Sequence, residues 1–309
     1  MRSIDASEVE RALDYPSLID RLREAFRGGI EAPRRHHHTI PDRDQATLLL
    51  MPAWQKDGPL GVKIATVFPS NQERDLPSVF GVYLLLDGMT GEPIAAIEAR
   101  SLTRRRTAAA SALAAGYLAR EDAARLAMVG TGALAPELIE AHGTVRALQE
   151  VVIWGRTPAK AERLARRLDR PERRVRATGD LESAVAEADI VACATLSSAP
   201  LVQGAWLSPG CHLDLVGAFK PTMREADDEA LRRARIFVDT REGALAEAGD
   251  IVDPMARGVI GESDIEGDLR ALCRGETAGR READEITLFK STGAALEDLA
   301  AAKLVVERS

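Results

Sequence analysis

Residues 125–142, "RLAMVGTGALAPELIEAH", decide the fold expected for this chain. The apolar run "RLAMVG" (125–130) is typical of a buried strand, and a helical pattern follows it directly. Between them, Gly130, Gly132 and Ala135 have the GxGxxA spacing of a dinucleotide-binding turn. There, the first glycine allows a tight turn, the second lets the backbone approach a pyrophosphate, and the alanine permits close helix–strand packing. The segment predicts a dinucleotide site; the alternative is a tight α/β turn without a ligand.

Further strands alternate with helices on the C-terminal side of this turn. The helix "PAKAERLARRL" follows one of them, and the strand-like runs are "EVVIWG" (150–155), "DIVACAT" (189–195), "HLDLVG" (212–217) and "RIFVDT" (235–240). Such alternation predicts a doubly wound parallel sheet. We therefore expect a Rossmann-type α/β domain over residues 118–292.

The N-terminal part has a different pattern. Residues 7–28 predict one amphipathic helix, with Ser7 and Glu10 at capping-box spacing. Locally connected strands follow at 47–51, 61–68, 79–86 and 94–99, which favours an antiparallel sheet, and an Ala-rich helix spans 102–118. The last stretch is a helix that we expect to pack on this part. We therefore predict an α+β domain formed by residues 1–117 and 293–309.

The end of the second Rossmann strand indicates the cofactor type. An acidic residue at this position binds the ribose 2′-hydroxyl in NAD sites. Here Trp154 and Gly155 are followed by Arg156 and Thr157, with no acid. An arginine can pair with a 2′-phosphate and a threonine can add a hydroxyl donor. The sequence favours NADPH, with NAD possible; alternatively, Arg156 is an ordinary surface arginine.

Cations in the first domain need an explanation. Lys63 lies inside the strand-like run "GVKIATVF", where an unpaired buried ammonium is costly. Arg104, Arg105 and Arg106 stand where we expect a helix to begin, a position unfavourable for cations unless an anion joins them. A substrate carboxylate near Lys63 and Arg106 would explain both features. The alternative is three solvated arginines and a lysine whose ammonium reaches solvent.

Composition excludes several classes of function. The chain has 309 residues and a net charge of -7, which disfavours nucleic-acid and anionic-membrane partners. The N-terminus is charged, so we expect no signal peptide, and no apolar run is long enough to span a bilayer. The sparse cysteines lack CxxC spacing and are typical of reduced cytoplasmic thiols; they are Cys193, Cys211 and Cys273.

The run His36-His37-His38 invites a metal hypothesis. Successive strand residues point to opposite faces, so the three imidazoles cannot converge on one ion. No HxxxH or Cys/His set accompanies them. We therefore predict no metal site.

At this level of detail the chain resembles the ornithine cyclodeaminase/mu-crystallin family of NAD(P)-dependent enzymes. The similarity covers nearly the whole chain, in order. Its stretches are "PRRHHH", "LLLMPAW", "LGVKIATVFPSN", "LPSVFGVYLLLD", "TGEP", "LTRRRTAAASALAAGYLAR", "VGTGALA", "VIWGRT", "DIVACAT", "VGAFKPTMREADDE", "VDTREGALAEAGD" and "ITLFKSTGAALEDLAAAKL".

The resemblance implies a two-domain homodimer in which the N-terminal part and the C-terminal helix build the dimer and the substrate site. It implies that Lys63, Arg106 and Arg35 face the substrate and that Glu247 lines the ligand pocket. It places Ser78 near the nicotinamide. The other implied cofactor contacts are Gly130, Thr131, Gly132, Ala133, Leu134, Arg156, Thr157, Thr195, Leu196, Val216 and Ser291.

One departure from the resemblance bears on the reaction. Ornithine cyclodeaminases carry an aspartate after "VGG", whereas this chain has Phe219 after Val216-Gly217-Ala218. A phenylalanine has no proton to move and no charge to bind an ammonium. An apolar side chain beside the nicotinamide suits a flat, weakly polar ring. The family members most like this chain are reductases of cyclic ketimines such as Δ1-pyrroline-2-carboxylate and Δ1-piperideine-2-carboxylate.

The expected reaction is hydride transfer to the C=N carbon, giving L-proline or L-pipecolate. We expect Arg106 and Arg35 to bind the carboxylate. Lys63 would assist as a cation or as the acid for the imine nitrogen, with its pKa lowered by Arg106. The alternatives are an ornithine cyclodeaminase-type or dehydratase lyase, an alanine-type amino-acid dehydrogenase, and a ligand-binding protein like the mu-crystallins.

Overall fold

The computed structural model describes residues 1–41, 46–74 and 76–309. The chain divides into two compact units, Met1–Thr107 with Ala294–Ser309, and Ala108–Gly293. We call them the first and second units. The first boundary lies at residue 107, whereas the sequence predicted 117. The helical residues after 107 belong to the second unit because they contact it; the Ser111 hydroxyl, for example, donates to Asp214.

The first unit begins with short elements and continues into a β-meander and a long helix. Its N-terminal elements are β1 (Arg2–Ile4), α1 (Ala6–Ala12), α2 (Tyr15–Arg27), β2 (Ile30–Glu31), β3 (His36–Thr39), β4 (Thr47–Gln55), β5 (Leu60–Val67), β6 (Val79–Leu86), β7 (Pro93–Glu98) and the start of α3 (Ala99–Leu118). The sheet order is β1-β7-β6-β5-β4-β2, with β3 paired to β4. Strands β4 to β7 pair antiparallel, which confirms the predicted meander.

The second unit alternates strands and helices, and the chain then returns to the first unit. The elements are β8 (Arg125–Val129), α4 (Leu134–Val145), β9 (Glu150–Trp154), α5 (Pro158–Leu168), β10 (Arg174–Thr178), α6 (Leu181–Ala186), β11 (Ile190–Cys193), β12 (His212–Leu215), α7 (Asp228–Arg233), β13 (Ala234–Val238), α8 (Arg241–Glu247), α9 (Gly249–Ala256), β14 (Ile265–Asp268), α10 (Leu269–Arg274), β15 (Ile286–Lys290) and, in the first unit, α11 (Ala295–Arg308).

The sheet of the second unit is parallel throughout its described strands, in the order β10-β9-β8-β11-β12-β15-β13-β14. This confirms the predicted Rossmann-type architecture. The chain extends the sheet from β8 in one direction, to β9 and β10, and then returns to add β11 on the other side. The carboxyl ends of β8 and β11 therefore flank the topological switch point, where such sheets bind ligands.

The predicted single helix over 7–28 is wrong. The first helix ends with α1 at Ala12, and a second helix, α2, begins after Asp14. The Asp14 side chain caps α2 by accepting a hydrogen bond from the backbone N–H of Ser17 at 3.0 Å. Pro16 lies in the first turn of α2, where the missing N–H costs nothing. The capping box of α1 is formed by Asp5 and Glu8, so the predicted Ser7–Glu10 spacing was also wrong.

Helix α3 starts earlier than predicted, at Ala99 directly after β7. The Glu98 carboxylate accepts from the backbone N–H groups of Arg100 (2.9 Å) and Ser101 (2.7 Å), which satisfies two donors of the first turn. Arg106 therefore lies inside the helix, and the argument that it crowds a helix N-terminus was wrong.

The register of the first sheet separates two faces. Met51, Lys63 and Tyr83 lie side by side on β4, β5 and β6, and all three are buried. Because side chains alternate along a strand, the next row, with Leu50 and Ile64, points to the opposite face and is only half-buried.

Candidate functional site

Two buried cations and two buried carboxylates meet inside the first unit. Lys63 lies on β5, Arg106 on α3, and Glu297 and Asp298 on the first turn of α11. The Lys63 Nζ lies 2.8 Å from Asp298 Oδ2, and Arg106 Nε donates to Asp298 Oδ1 at 2.9 Å. Arg106 Nη1 donates to Glu297 Oε2 at 2.8 Å. We call these four side chains the charge quartet; its formal charges cancel.

Local sequence explains how the quartet is held. Lys63 is on the buried face of β5, and its Nζ also lies 3.4 Å from Thr103 Oγ1, on α3. Glu297 accepts from the backbone N–H of Ala294 at 3.2 Å, so it caps α11 while it binds Arg106. Asp298 bridges both cations and is wholly buried. Buried charges in proteins are generally paired in this way.

Burial and neighbouring charges set the protonation of Lys63. Burial has the largest effect and lowers the pKa of Lys63, Asp298 raises it, and Arg106 and Arg35 lower it, so that the pKa is about 8. For Asp298, burial favours the neutral form, but Arg106 and Lys63 outweigh it and lower its pKa. Burial likewise disfavours charged Arg106, yet the two carboxylates raise its pKa overall. The quartet thus holds a lysine that can change protonation near neutral pH.

The sequence interpretation missed the two acids. It identified Lys63 and Arg106 as cations that need an anion, but Asp298 and Glu297 of this chain neutralise them. The alternative of solvated side chains is also wrong for both, because each is 4% exposed. The signal that could have found the partners is the adjacent pair of acids in the otherwise apolar "GAALEDLAAAKL".

The neighbouring arginines have other partners. Arg104 Nη2 donates to Glu10 at 2.9 Å, and the Arg105 guanidinium lies 4.9 Å from the centre of the Tyr15 ring. Arg35 immediately precedes β3 and is half-buried. Its charge contributes to the pKa of Lys63. Ser78 precedes β6, is half-buried, and its carbonyl accepts from the Phe68 N–H at 2.7 Å.

The glycine-rich turn of the second unit joins β8 to α4. Gly130 has φ +123°, and a Cβ atom there would lie 2.7 Å from the carbonyl oxygen of Ala194. Only glycine suits this position. Within the described part of the chain, no heavy atom beyond the adjacent residues lies within 4 Å of a Cβ placed on Gly132. Ala135 is wholly buried. Gly132 therefore leaves its backbone open to a ligand.

The N-terminus of α4 fits the phosphates of a dinucleotide. Its N-cap is Ala133, and no side chain in the described ranges caps it. The first N–H groups of a helix need acceptors, and a pyrophosphate can supply them. Thr131 packs under the neighbouring turn, where a Cβ on Gly155 would lie 2.6 Å from its Cγ2. Leu134 starts the helix.

Arg156 and Thr157 are exposed after the end of β9, beside β8 in the sheet. Thr157 is the N-cap of α5, and its hydroxyl makes no capping bond to the described residues. Both side chains thus lie at the sheet edge where the ribose of a dinucleotide is held.

Other predicted residues follow neighbouring strands at the same carboxyl edge. Thr195 and Leu196 follow β11, Val216 follows β12, and Ser291 follows β15. Leu196 is 61% exposed and Val216 is buried. Ser291 Oγ lies 3.4 Å from Asp239 Oδ2. The sheet topology therefore brings together residues that are distant in sequence.

Phe219 and Glu247 are both half-buried in the second unit. Phe219 lies in the segment after β12, with Lys220 Nζ 6.0 Å from its ring centre. Glu247 is the last residue of α8.

A buried acid that sequence reasoning missed lies behind this edge. The Glu225 carboxylate accepts from the N–H and Oγ of Thr195 at 2.7 and 2.8 Å, and from the N–H groups of Gly217 and Ala218 at 2.7 and 3.2 Å. Lys290 Nζ lies 4.0 Å from it. Burial raises the pKa of Glu225 to about 7.

In the described ranges, no cluster of three or more His, Cys, Asp or Glu side chains could hold a metal ion. Strand β3, which carries the three histidines, is exposed. The three cysteines are buried, and burial raises the pKa of Cys211 to about 12. Among the same residues, no helix is both long and apolar enough to cross a membrane.

Comparison with known proteins gives a consistent match. The sequence profile described as ornithine cyclodeaminase/mu-crystallin family matches residues 2–309. A Δ1-pyrroline-2-carboxylate reductase of Colwellia psychrerythraea is 38% identical over 314 residues, covering 100% of this chain and 99% of the relative.

Two solved structures have the same fold. The Thermococcus litoralis Δ1-pyrroline-2-carboxylate reductase, in complex with NADH and L-proline, has a TM-score of 0.95 at 33% identity, covering 100% of this chain and 97% of that one. An archaeal alanine dehydrogenase dimer with bound NAD has a TM-score of 0.94 at 30% identity, with 100% and 95% coverage.

Proposed function

Since the chain belongs to the ornithine cyclodeaminase/mu-crystallin family, we propose that it is an NAD(P)H-dependent reductase of cyclic imine carboxylates. Its substrates would be Δ1-pyrroline-2-carboxylate, Δ1-piperideine-2-carboxylate or both, and its products L-proline and L-pipecolate. The observation that carries the proposal is the buried Lys63, whose pKa of about 8 suits a proton donor at neutral pH. The reductase relative from Thermococcus litoralis, with NADH and L-proline bound, supports the same reaction.

The residues of the first unit would bind and protonate the substrate. Arg106 uses Nε and Nη1 for the two carboxylates, so we assign the substrate carboxylate to its remaining Nη2 edge, together with Arg35. Lys63 would keep the imine nitrogen protonated, since an iminium accepts hydride much more readily than a neutral imine. Asp298 would orient both cations.

The second unit would bind the cofactor. The turn at Gly130–Leu134 and the uncapped start of α4 would hold the pyrophosphate. Thr195, Leu196, Val216 and Ser291 would contact the nucleotide, and Phe219 would provide an apolar wall for the substrate ring. Reduced nicotinamide, when bound, supplies the hydride. We further propose that Glu247 lines the ligand pocket and that Ser78, a residue of the first unit, contacts the nicotinamide.

Phe219 favours reduction over cyclodeamination. A lyase that removes ammonia from a diamino acid needs a group that moves protons and a negative charge that pairs with the side-chain ammonium, and a benzyl side chain has neither. The alanine dehydrogenase relative makes reductive amination of a 2-oxo acid the second candidate.

A substrate panel tests the proposal. Absorbance of the reduced nicotinamide is followed with each cyclic imine, with pyruvate plus ammonia, and with ornithine. We expect stoichiometric oxidation with the cyclic imines. Turnover confined to pyruvate plus ammonia, release of ammonia from ornithine without net oxidation, or cofactor binding without turnover would each contradict the proposal and identify the alternative.

Cofactor preference is a separate test. We propose that Arg156 and Thr157 favour NADPH. Arg156→Ala should lower kcat/KM for NADPH by about tenfold, the effect of losing roughly one charged contact, and leave the value for NADH within about twofold. Equal losses with both cofactors would contradict the assignment to the 2′-phosphate.

A further inference from the structure

The carboxylate of Glu225 joins two loops at the carboxyl edge of the parallel sheet. One oxygen accepts from the N–H and hydroxyl of Thr195, after β11, and the other accepts from Gly217 N–H and Ala218 N–H, after β12. An ionised carboxylate can accept four such bonds, whereas an amide of the same shape cannot. Glu225 therefore connects the loops that carry Thr195, Leu196, Val216 and Phe219.

The two loops are close because residue 217 is glycine. A Cβ atom on Gly217 would lie 1.9 Å from the carbonyl oxygen of Thr195 and 2.5 Å from Glu225 Oε1. Contact this short cannot be relieved by a small adjustment. Gly217 and Glu225 thus specify the same arrangement, one by shape and the other by hydrogen bonding.

The rest of the fold holds Glu225 firmly. Its carbonyl accepts from the N–H groups of Leu201 and Val202 at 2.9 and 3.0 Å, and its own N–H donates to Asp250 Oδ1 at 2.7 Å. Lys290 Nζ, at the end of β15, lies 3.2 Å from Asp250 Oδ2 and 4.0 Å from Glu225 Oε2. Since the Glu225, Asp250 and Lys290 side chains are all buried, salt screens their interactions only weakly.

We infer that Glu225 is a positioning residue that sets the geometry of the nicotinamide end of the cofactor site by clamping these two loops together. The inference rests on the proposed function in one respect, the assignment of the loops to the nucleotide. In this role Glu225 would act through its bonds to Thr195, Gly217 and Ala218 and not by contact with the ligands.

The test compares Glu225→Gln, Glu225→Asp and Gly217→Ala with a matched control, Asp214→Asn. Asp214 is an equally buried carboxylate of β12, which binds Ser111 and His142 instead of a loop. We expect Glu225→Gln to raise the Kd for NADPH about tenfold, as for a net loss of one hydrogen bond, with Glu225→Asp intermediate. Gly217→Ala should weaken binding although the carboxylate is intact, and Asp214→Asn should leave the Kd within about twofold.

Two readouts separate positioning from general destabilisation. In hydrogen exchange, Glu225→Gln should remove protection at the amides of Thr195, Gly217 and Ala218 and retain it in the strands. The isotope effect with deuterated reduced cofactor should rise, because misplacement slows hydride transfer. Unchanged affinity and isotope effect in Glu225→Gln, or equal losses in Asp214→Asn, would overturn the inference. Wild-type protein that binds no nicotinamide cofactor would instead contradict the proposed function.

Discussion

Lys63 is the side chain on which the proposed chemistry most depends. Replacing it with methionine removes the ammonium and keeps an unbranched chain of comparable length. Asp298 retains its bond to Arg106, so the fold should tolerate the change. We expect kcat to fall by about 10²–10⁴-fold, the usual contribution of a general acid. Steady-state kinetics with a cyclic imine measures the effect.

Lys303→Met is the matched control, because Lys303 also lies in the first unit but its Nζ binds Gln55. Equal turnover in both variants would remove Lys63 from the mechanism.

The pH profile makes a second prediction for Lys63. Its pKa of about 8 means that the ammonium, the proposed acid, disappears above that pH, so kcat/KM should decline there. Stability should change in the opposite direction. Between about pH 8 and the ordinary lysine value of 10.5 the unfolded chain binds more protons at Lys63 than the folded chain, so this group makes stability rise with pH.

Rate and unfolding measurements from neutral to alkaline pH distinguish the two effects. Lys63→Arg keeps a cation that does not titrate in this range, so the decline near pH 8 should vanish. A decline that persists unchanged in this variant would assign the titration to the substrate or to another group.

At the level of elements, the glycine turn between β8 and α4 gives a paired prediction. Gly130→Ala introduces a Cβ at φ +123° and 2.7 Å from the Ala194 carbonyl, so we expect destabilisation of about 2 kcal/mol or more. Gly132→Ala meets no such contact within the described structure, and its stability should stay within about 0.5 kcal/mol of wild type. The Gly132→Ala variant should instead bind NADPH more weakly, with a higher Kd. Thermal unfolding and cofactor titration of both variants measure this; unimpaired cofactor binding by Gly132→Ala would contradict the assigned pyrophosphate contact.

The same turn shows why part of the structure could be predicted from sequence. A strand, a glycine pair and a helix start are adjacent in the chain, and their backbone constraints are local. The parallel sheet could be predicted from the alternation of such units.

Asp298 could not be found in this way, because it is distant in sequence from Lys63 and only tertiary packing of α11 brings them together. Glu225 was missed for the same reason: its partners follow two different strands. The break before α2 was missed because the apolar stripe continues across Asp14 and Pro16.

At the level of the whole molecule, the first sheet suggests how two copies associate. Leu50, Ile64 and Val82 lie side by side on β4, β5 and β6 on the face opposite Lys63, and all are only half-buried. Phe80, near the start of β6 on the same face as Val82, is 42% exposed. A contiguous apolar surface of this kind is typical of an interface between protein chains. We therefore expect a homodimer that covers this face.

Light scattering on the purified protein should give about twice the 33.3 kDa of one chain. Ile64→Glu places a charge in the centre of the proposed interface, where burying it without a partner is costly, so this variant should elute as a single chain. Met89→Glu is the control, because Met89 is 81% exposed in the turn between β6 and β7 and lies outside the row. Because the proposed cofactor site belongs to the second unit, an Ile64→Glu chain should retain cofactor binding. A wild-type protein of single-chain mass, or an Ile64→Glu variant that remains dimeric, would show that this face does not join two copies.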